Sequence, residues 1–198
     1  MPIVTIRDLY VVELTELLDA EQQVLCELPL LSSAATADGL RHVFDEHYRQ
    51  TLEHVARLEC LFREIDERPR GTGSRGLRAL IEEARLRTAL LDRGPARDAA
   101  LLAVGQRIAH HEIGAYRSAL IYAERLADRR GAARLEETVK EEDGMSRRLE
   151  ALAAADAVAG APPAVAVEGP VPSTAVAAPY VEVRPAQGFD STPGIVSH

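Results

Sequence analysis

Four segments of this chain carry apolar residues at helical period over several turns, and each interrupts its own stripe near mid-length with an acid or a histidine. The first segment places Tyr10, Leu14, Leu17, Val24 and Leu28 on one face with Glu21 among them. The second sets Leu40, Phe44, Leu58 and Leu61 on its stripe, broken by His47, Gln50 and His54. Ile108, Ala115 and Ala119 flank Glu112 in the third, and Leu135, Val139, Met145 and Leu149 flank Glu142 in the fourth. A period of 3.6 sustained this way specifies amphipathic helices that bury one face against each other. The chain is thus expected to be all-α, a bundle whose core contains polar side chains where Leu or Val would otherwise stand.

Helix boundaries are readable from local chemistry. Thr5, three residues before Asp8, matches a capping box and starts the first helix. Pro29 lacks an N–H and is expected to kink or weaken its last turns. The small and polar residues 32 to 38 supply a turn, and the second helix should run from about Asp38 to Asp66. Residues 68 to 75, rich in Arg, Gly and Ser around Pro69, form a connection. A short helix near Leu77 to Leu91 follows it. Gly94-Pro95 then opens the third long helix, with Asp98 in the first turn, where a negative charge is favoured. The fourth long helix should end near Ala155, with local fraying at Gly144, whose backbone costs about 1 kcal/mol in a helix relative to Ala. No convincing strand period occurs before that point.

From Ala157 the pattern changes. Seven of the eleven prolines fall in the last 42 residues, where charges are few and no helical period survives. Such composition cannot bury enough apolar surface to offset the entropy of ordering, so residues 157–198 are expected to be a disordered Pro/Ala/Val-rich tail after a bundle domain of residues 1–156.

Charge and cysteine usage exclude several functions. A net charge of -8, with basic residues scattered among acids along helical faces, argues against a nucleic-acid partner. No apolar run approaches the roughly 20 residues that span a bilayer, and the N-terminus lacks a leader pattern. Cys26 and Cys60 are far apart and lack C-x-x-C spacing, as expected of reduced, partly buried thiols. These features together predict a soluble, cytoplasmic protein.

The candidate site follows from the interrupted stripes. A carboxylate inside an apolar core is costly unless a cation or a proton compensates it. Three carboxylates, Glu21, Glu112 and Glu142, converging with the imidazole of His54 form the oxygen-rich, nitrogen-containing donor set favoured by iron or manganese, and helical bundles build such metal sites from facing helices. His47, two turns before His54, is a candidate for orienting a ligand, as are Gln50 and Tyr116 for hydrogen bonding one. His110 and His111 fall off the stripe, and Glu53 and Glu141 point away from it.

The segments Leu18 to Gln23, His54 to Glu59, Arg97 to Leu101, His110 to Tyr116 and Glu137 to Glu142 resemble, in order and spacing, the YciE/YciF family of ferritin-like proteins across residues 3 to 153. The resemblance implies a ferritin-like four-helix bundle with an extra short helix, a homodimer, a di-iron centre and a place in bacterial stress responses. Glu21, His54, Glu112 and Glu142 match the family pattern. Gln50, Ala109 and Ser146 stand where that pattern has carboxylates. A depleted centre with weak ferroxidase-like activity at most is therefore expected. The alternative is a metal-free dimerisation or docking module whose tail engages a protein partner.

Overall fold

The computed structural model describes residues 3–159. Its elements are α1 (Ile6–Ala34), α2 (Asp38–Glu64), α3 (Arg75–Ala89), α4 (Pro95–Arg125) and α5 (Arg129–Ala159). The expected all-α bundle with one extra short helix is therefore present. The sequence-based tail lies outside the described residues beyond the last turn of α5. Among the described residues, no helix is long and apolar enough to cross a membrane.

Local signals set the helix ends. The Thr5 hydroxyl accepts from the Asp8 N–H at 3.1 Å, while the Asp8 carboxylate accepts from the Thr5 N–H at 3.0 Å, completing the capping box. A cap of this kind stabilises a helix by about 1 kcal/mol. α1 passes through Pro29 and continues to Ala34, because Leu28 and Leu31 on either side are buried in the core. The expected fraying at Gly144 does not occur either. α5 is continuous there, anchored by the buried neighbours Met145 and Leu149.

The helices pack as two pairs, α1 with α2 and α4 with α5, joined further by α1 against α4 and α2 against α5. Short turns make each pair antiparallel. The carboxylate of Asp98, in the first turn of α4, accepts from the backbone N–H groups of Thr36 and Ala37 at 2.7 and 2.8 Å. Those groups precede α2, so α2 and α4 start at the same end of the bundle and run parallel. The connection that carries the chain back between them holds α3, which rests on α4 and α1. It is tied down where Arg70 N–H donates to the Thr15 hydroxyl (2.9 Å) and Ser74 N–H donates to Asp19 (2.7 Å). Gly73 is required in this crossing: φ is +70°, and a Cβ there would sit 2.5 Å from the Asp19 carboxyl group.

The apolar core is divided in two. One cluster contains Val24, Leu28, Phe44, Ile108, Met145 and Leu149; the other contains Tyr10, Leu14, Leu17, Leu58, Leu61 and Leu135. Helices approach closely in the first, where a Cβ on Gly105 would lie 3.0 Å from Phe44 and 3.1 Å from Leu149. Between the clusters, at the same depth on all four long helices, lies a layer of buried polar residues.

Candidate metal centre

That layer is formed by Glu21 from α1, His47, Thr51 and His54 from α2, Glu112 from α4 and Glu142 from α5, all buried. The helical period places them there: each occupies the same stripe as the Leu, Val and Phe residues above and below it, so packing those stripes forces the polar groups inward. Glu21, His54, Glu112 and Glu142, selected from the sequence, thus share one layer.

His47 also lies within the centre, although the sequence suggested only a supporting place for it. Its Nε2 lies 3.3 Å from Glu142 Oε1 and 3.8 Å from Glu112 Oε2. One ligand atom each from His47, Glu112 and Glu142 fall within 4.8 Å of one another, the spacing of a metal-binding group. His54 lies next to it: Nδ1 is 3.3 Å from Glu21 Oε1 and 3.4 Å from Glu142 Oε1. Glu142 Oε1 therefore faces both imidazoles and links the two halves of the layer. On the far side of the His54 ring, Nε2 lies 3.0 Å from Glu141 Oε2.

The expected hydrogen-bonding partners divide. Tyr116 donates its hydroxyl to Glu21 Oε1 at 2.6 Å, so it fixes one carboxylate rather than only packing. Gln50 does not do the same; its Oε1 is buried without a partner. Thr51 and Met145 stand at the positions of α2 and α5 that would complete a Glu-x-x-His pair with His54 and Glu142 in a full di-metal bundle. Thr51 turns its hydroxyl back to the His47 carbonyl at 3.0 Å and offers the centre little. Ala109 is buried, and Ser146 donates to Gln106 Oε1 at 2.9 Å, so the other two depleted positions supply no acid.

Electrostatics at the centre follow from burial and crowding of like charges. Burial, reinforced by the charges of Glu21 and Glu142, raises the Glu112 carboxyl well above the ordinary carboxylate range. The Tyr116 hydroxyl is likewise raised by burial and by the neighbouring carboxylates, Glu21 foremost. For His54, burial favours the neutral ring, but Glu21, Glu142 and Glu141 outweigh it and raise its pKa. Burial also opposes ionisation of Glu141, yet Arg57 and His54 lower its pKa overall. Four of the six oxygens of Glu21, Glu112 and Glu142, together with His47 Nδ1 and His54 Nδ1, find no hydrogen-bond partner among the described residues. Buried polar groups in native proteins are nearly always satisfied, so this cluster needs a proton, a water or a cation to compensate it.

Outside the layer, one thiol differs from expectation. Cys26 is exposed rather than partly buried, since it faces out of α1 beside α3, and Cys60 is half-buried; both are free thiols. His111 is half-buried, with Nε2 3.2 Å from the Ser74 hydroxyl, and burial lowers its pKa. His110 is exposed.

Comparison with known proteins agrees with this architecture. Residues 5–161 match the family described as a domain of unknown function, DUF892. Protein YciF of Escherichia coli strain K12 is 30% identical over 150 residues, 75% of this chain and 90% of that protein. The crystal structure of the E. coli stress protein YciF superposes with a TM-score of 0.75 at 28% identity, covering 79% of this chain and 99% of that one. YcfI of Rhodopseudomonas palustris superposes at 0.72, also at 28% identity, over 75% of this chain and 94% of that one. A ferritin-like, di-iron carboxylate protein from Bacillus anthracis strain Ames, at 14% identity, shares the fold with a TM-score of 0.59 over 76% of this chain and 99% of that one. With its four-helix bundle, extra short helix and match across nearly all the described residues, the chain belongs to the DUF892 family and is a ferritin-like relative of YciF.

Proposed function

We propose that this protein is a ferritin-like metal-binding protein of the bacterial stress response, holding a single divalent cation, iron or manganese, in a di-metal centre that has lost part of its ligand set. The observation that carries this reading is the set of unpartnered carboxylate oxygens on Glu21, Glu112 and Glu142 in a layer sealed by apolar clusters on both sides. The stress role rests on the similarity to YciF, a stress protein of E. coli.

The donor set fits such an ion. Three carboxylates and two imidazoles combine hard oxygen with borderline nitrogen, which suits iron or manganese. His47, Glu112 and Glu142 would hold it, with Glu21 and His54 on the adjoining side. Their charge of three negatives is more than compensated by two divalent cations but is left slightly negative by one. Thr51 and Met145 in place of a further acid and histidine also argue for one ion. Bound iron would supply one-electron chemistry. Tyr116 holds Glu21 through its hydroxyl, and the Leu and Phe residues above and below exclude water. With a single ion, ferroxidase-like turnover is expected to be weak.

The test is elemental analysis of protein purified without chelator, beside Glu112→Ala. A stoichiometric divalent ion in the unsubstituted chain, lost in Glu112→Ala, is the expected result. Trace metal at the same level in both chains would overturn the proposal.

A further inference from the structure

The two imidazoles of the centre are supported differently. The outer nitrogen of His54 meets Glu141, a residue of α5 whose helical position points it away from the core stripe. The two meet where α2 packs against α5, with Glu141 Oε2 3.0 Å from His54 Nε2. Glu141 is itself clamped. Arg57 donates from Nη1 to Oε2 at 2.6 Å and from Nη2 to Oε1 at 3.2 Å, a two-pronged pair with a carboxylate. The same Nη1 donates to the Thr138 hydroxyl at 2.7 Å. Arg57 is mostly buried, at 13% side-chain exposure, so the clamp is held by packing rather than left loose in water.

An ionised carboxylate only accepts hydrogen bonds, so the Nε2 facing Glu141 must carry a proton. A neutral ring protonated there presents a lone pair at Nδ1. That atom points into the centre, between Glu21 Oε1 and Glu142 Oε1, and completes a hydrogen bond with neither. His47 has no such support: its Nδ1, the nitrogen away from Glu142, is buried without a partner.

We propose that Glu141, braced by Arg57 and Thr138, is a positioning residue for the metal centre: it keeps the His54 proton on Nε2 and so presents Nδ1 as the ligand atom. The inference rests on the metal-binding reading above. It assigns to a charge at the bundle seam a role in the buried centre, following the rule that a ligating histidine is oriented by what its other nitrogen donates to, at a cost of about 10–100-fold in metal affinity when that partner is lost.

The experiment titrates Zn(II), a diamagnetic probe, into the full chain labelled with 15N at histidine. Long-range proton–nitrogen spectra then report which His54 nitrogen binds the metal. Nδ1 bound and Nε2 protonated is expected. Glu141→Leu should weaken Zn(II) binding about 10–100-fold and mix the His54 tautomers. Glu141→Gln, whose amide oxygen still accepts from Nε2–H, should restore most of the affinity, which a merely structural ion pair would not predict. Arg57→Met should act in the same direction as Glu141→Leu but less strongly, and it carries the comparison if Glu141→Leu does not fold. Zn(II) on Nε2 of His54, or equal affinity in Glu141→Leu and the unsubstituted chain, would overturn this assignment while leaving metal binding intact. An unsubstituted chain that takes up neither Zn(II) nor Mn(II) overturns the metal reading and this assignment with it.

Discussion

Buried acids occur in two settings in this protein, and they are treated oppositely. At the periphery of the core, Glu27 is paired with Arg85, whose Nε donates to it at 2.8 Å, and Asp98 accepts the two backbone N–H groups that precede α2. Each acid has a partner of its own. In the central layer, Glu112 has no hydrogen-bond partner on either oxygen, and Glu21 and Glu142 are each half satisfied. The same chain that compensates peripheral acids with an arginine or with helix-end N–H groups leaves the central ones to repel each other. Acids that serve the fold are satisfied by the fold, whereas on the proposed metal-binding reading the central ones stay unsatisfied until the ion binds.

The sharpest way to break this contrast is to remove an acid from each setting. Glu112→Leu should abolish stoichiometric metal binding and also make the metal-free chain more stable, by about 1–3 kcal/mol, because an unsatisfied buried carboxylate is replaced by an apolar side chain of similar volume. Urea denaturation with elemental analysis on one preparation reads both effects, and a destabilised Glu112→Leu would mean that the acid is structural after all. Asp98→Ala should do the reverse. It strips a carboxylate from two N–H donors at the start of α2 and should cost about 2–3 kcal/mol, leaving metal content unchanged. Loss of metal in Asp98→Ala at temperatures where it is folded would blur the distinction.

The smallest effect concerns a half-buried acid at the start of α1. Hydrogen bonds from the Thr5 hydroxyl, then from the Thr5 and Val4 N–H groups, lower the Asp8 pKa below the usual carboxylate value. A carboxyl group depressed in the folded state adds stability above its unfolded pKa, and that contribution is lost as pH falls through its folded pKa. Acidification from neutral pH should therefore narrow the stability gap between the unsubstituted chain and Asp8→Asn. Parallel urea midpoints against pH would reveal a capping box that does not depend on ionisation.

Much of this was legible in the chain. The stripes of the four long helices and the breakers around the short one placed all five helices to within a few residues, and Thr5 with Asp8 marked the first boundary correctly. Glu21, His54, Glu112 and Glu142 stood out because a single helix already fixes which residues share its buried face. His47, Tyr116 and Glu141 were harder to read. His47 sits two turns from His54 on the same stripe, so its inward direction was visible but its reach to Glu112 and Glu142 was not, because that distance spans three helices. Glu141 neighbours Glu142 in an acidic run, a 100° step off the buried face, and reads as solvated until α2 is placed beside α5. Asp98 looked like an acid favouring its own helix, yet its partners belong to the start of α2.

What the sequence determined by itself was which side chains each helix would bury, since that depends only on a period of 3.6 along one segment. Only the tertiary structure decided which buried groups meet, which acids find an arginine or an N–H, and which nitrogen of His54 is left facing the centre. Those outcomes depend on the distance and rotation between helices, set by packing around residues such as Gly105, Phe44 and Leu149.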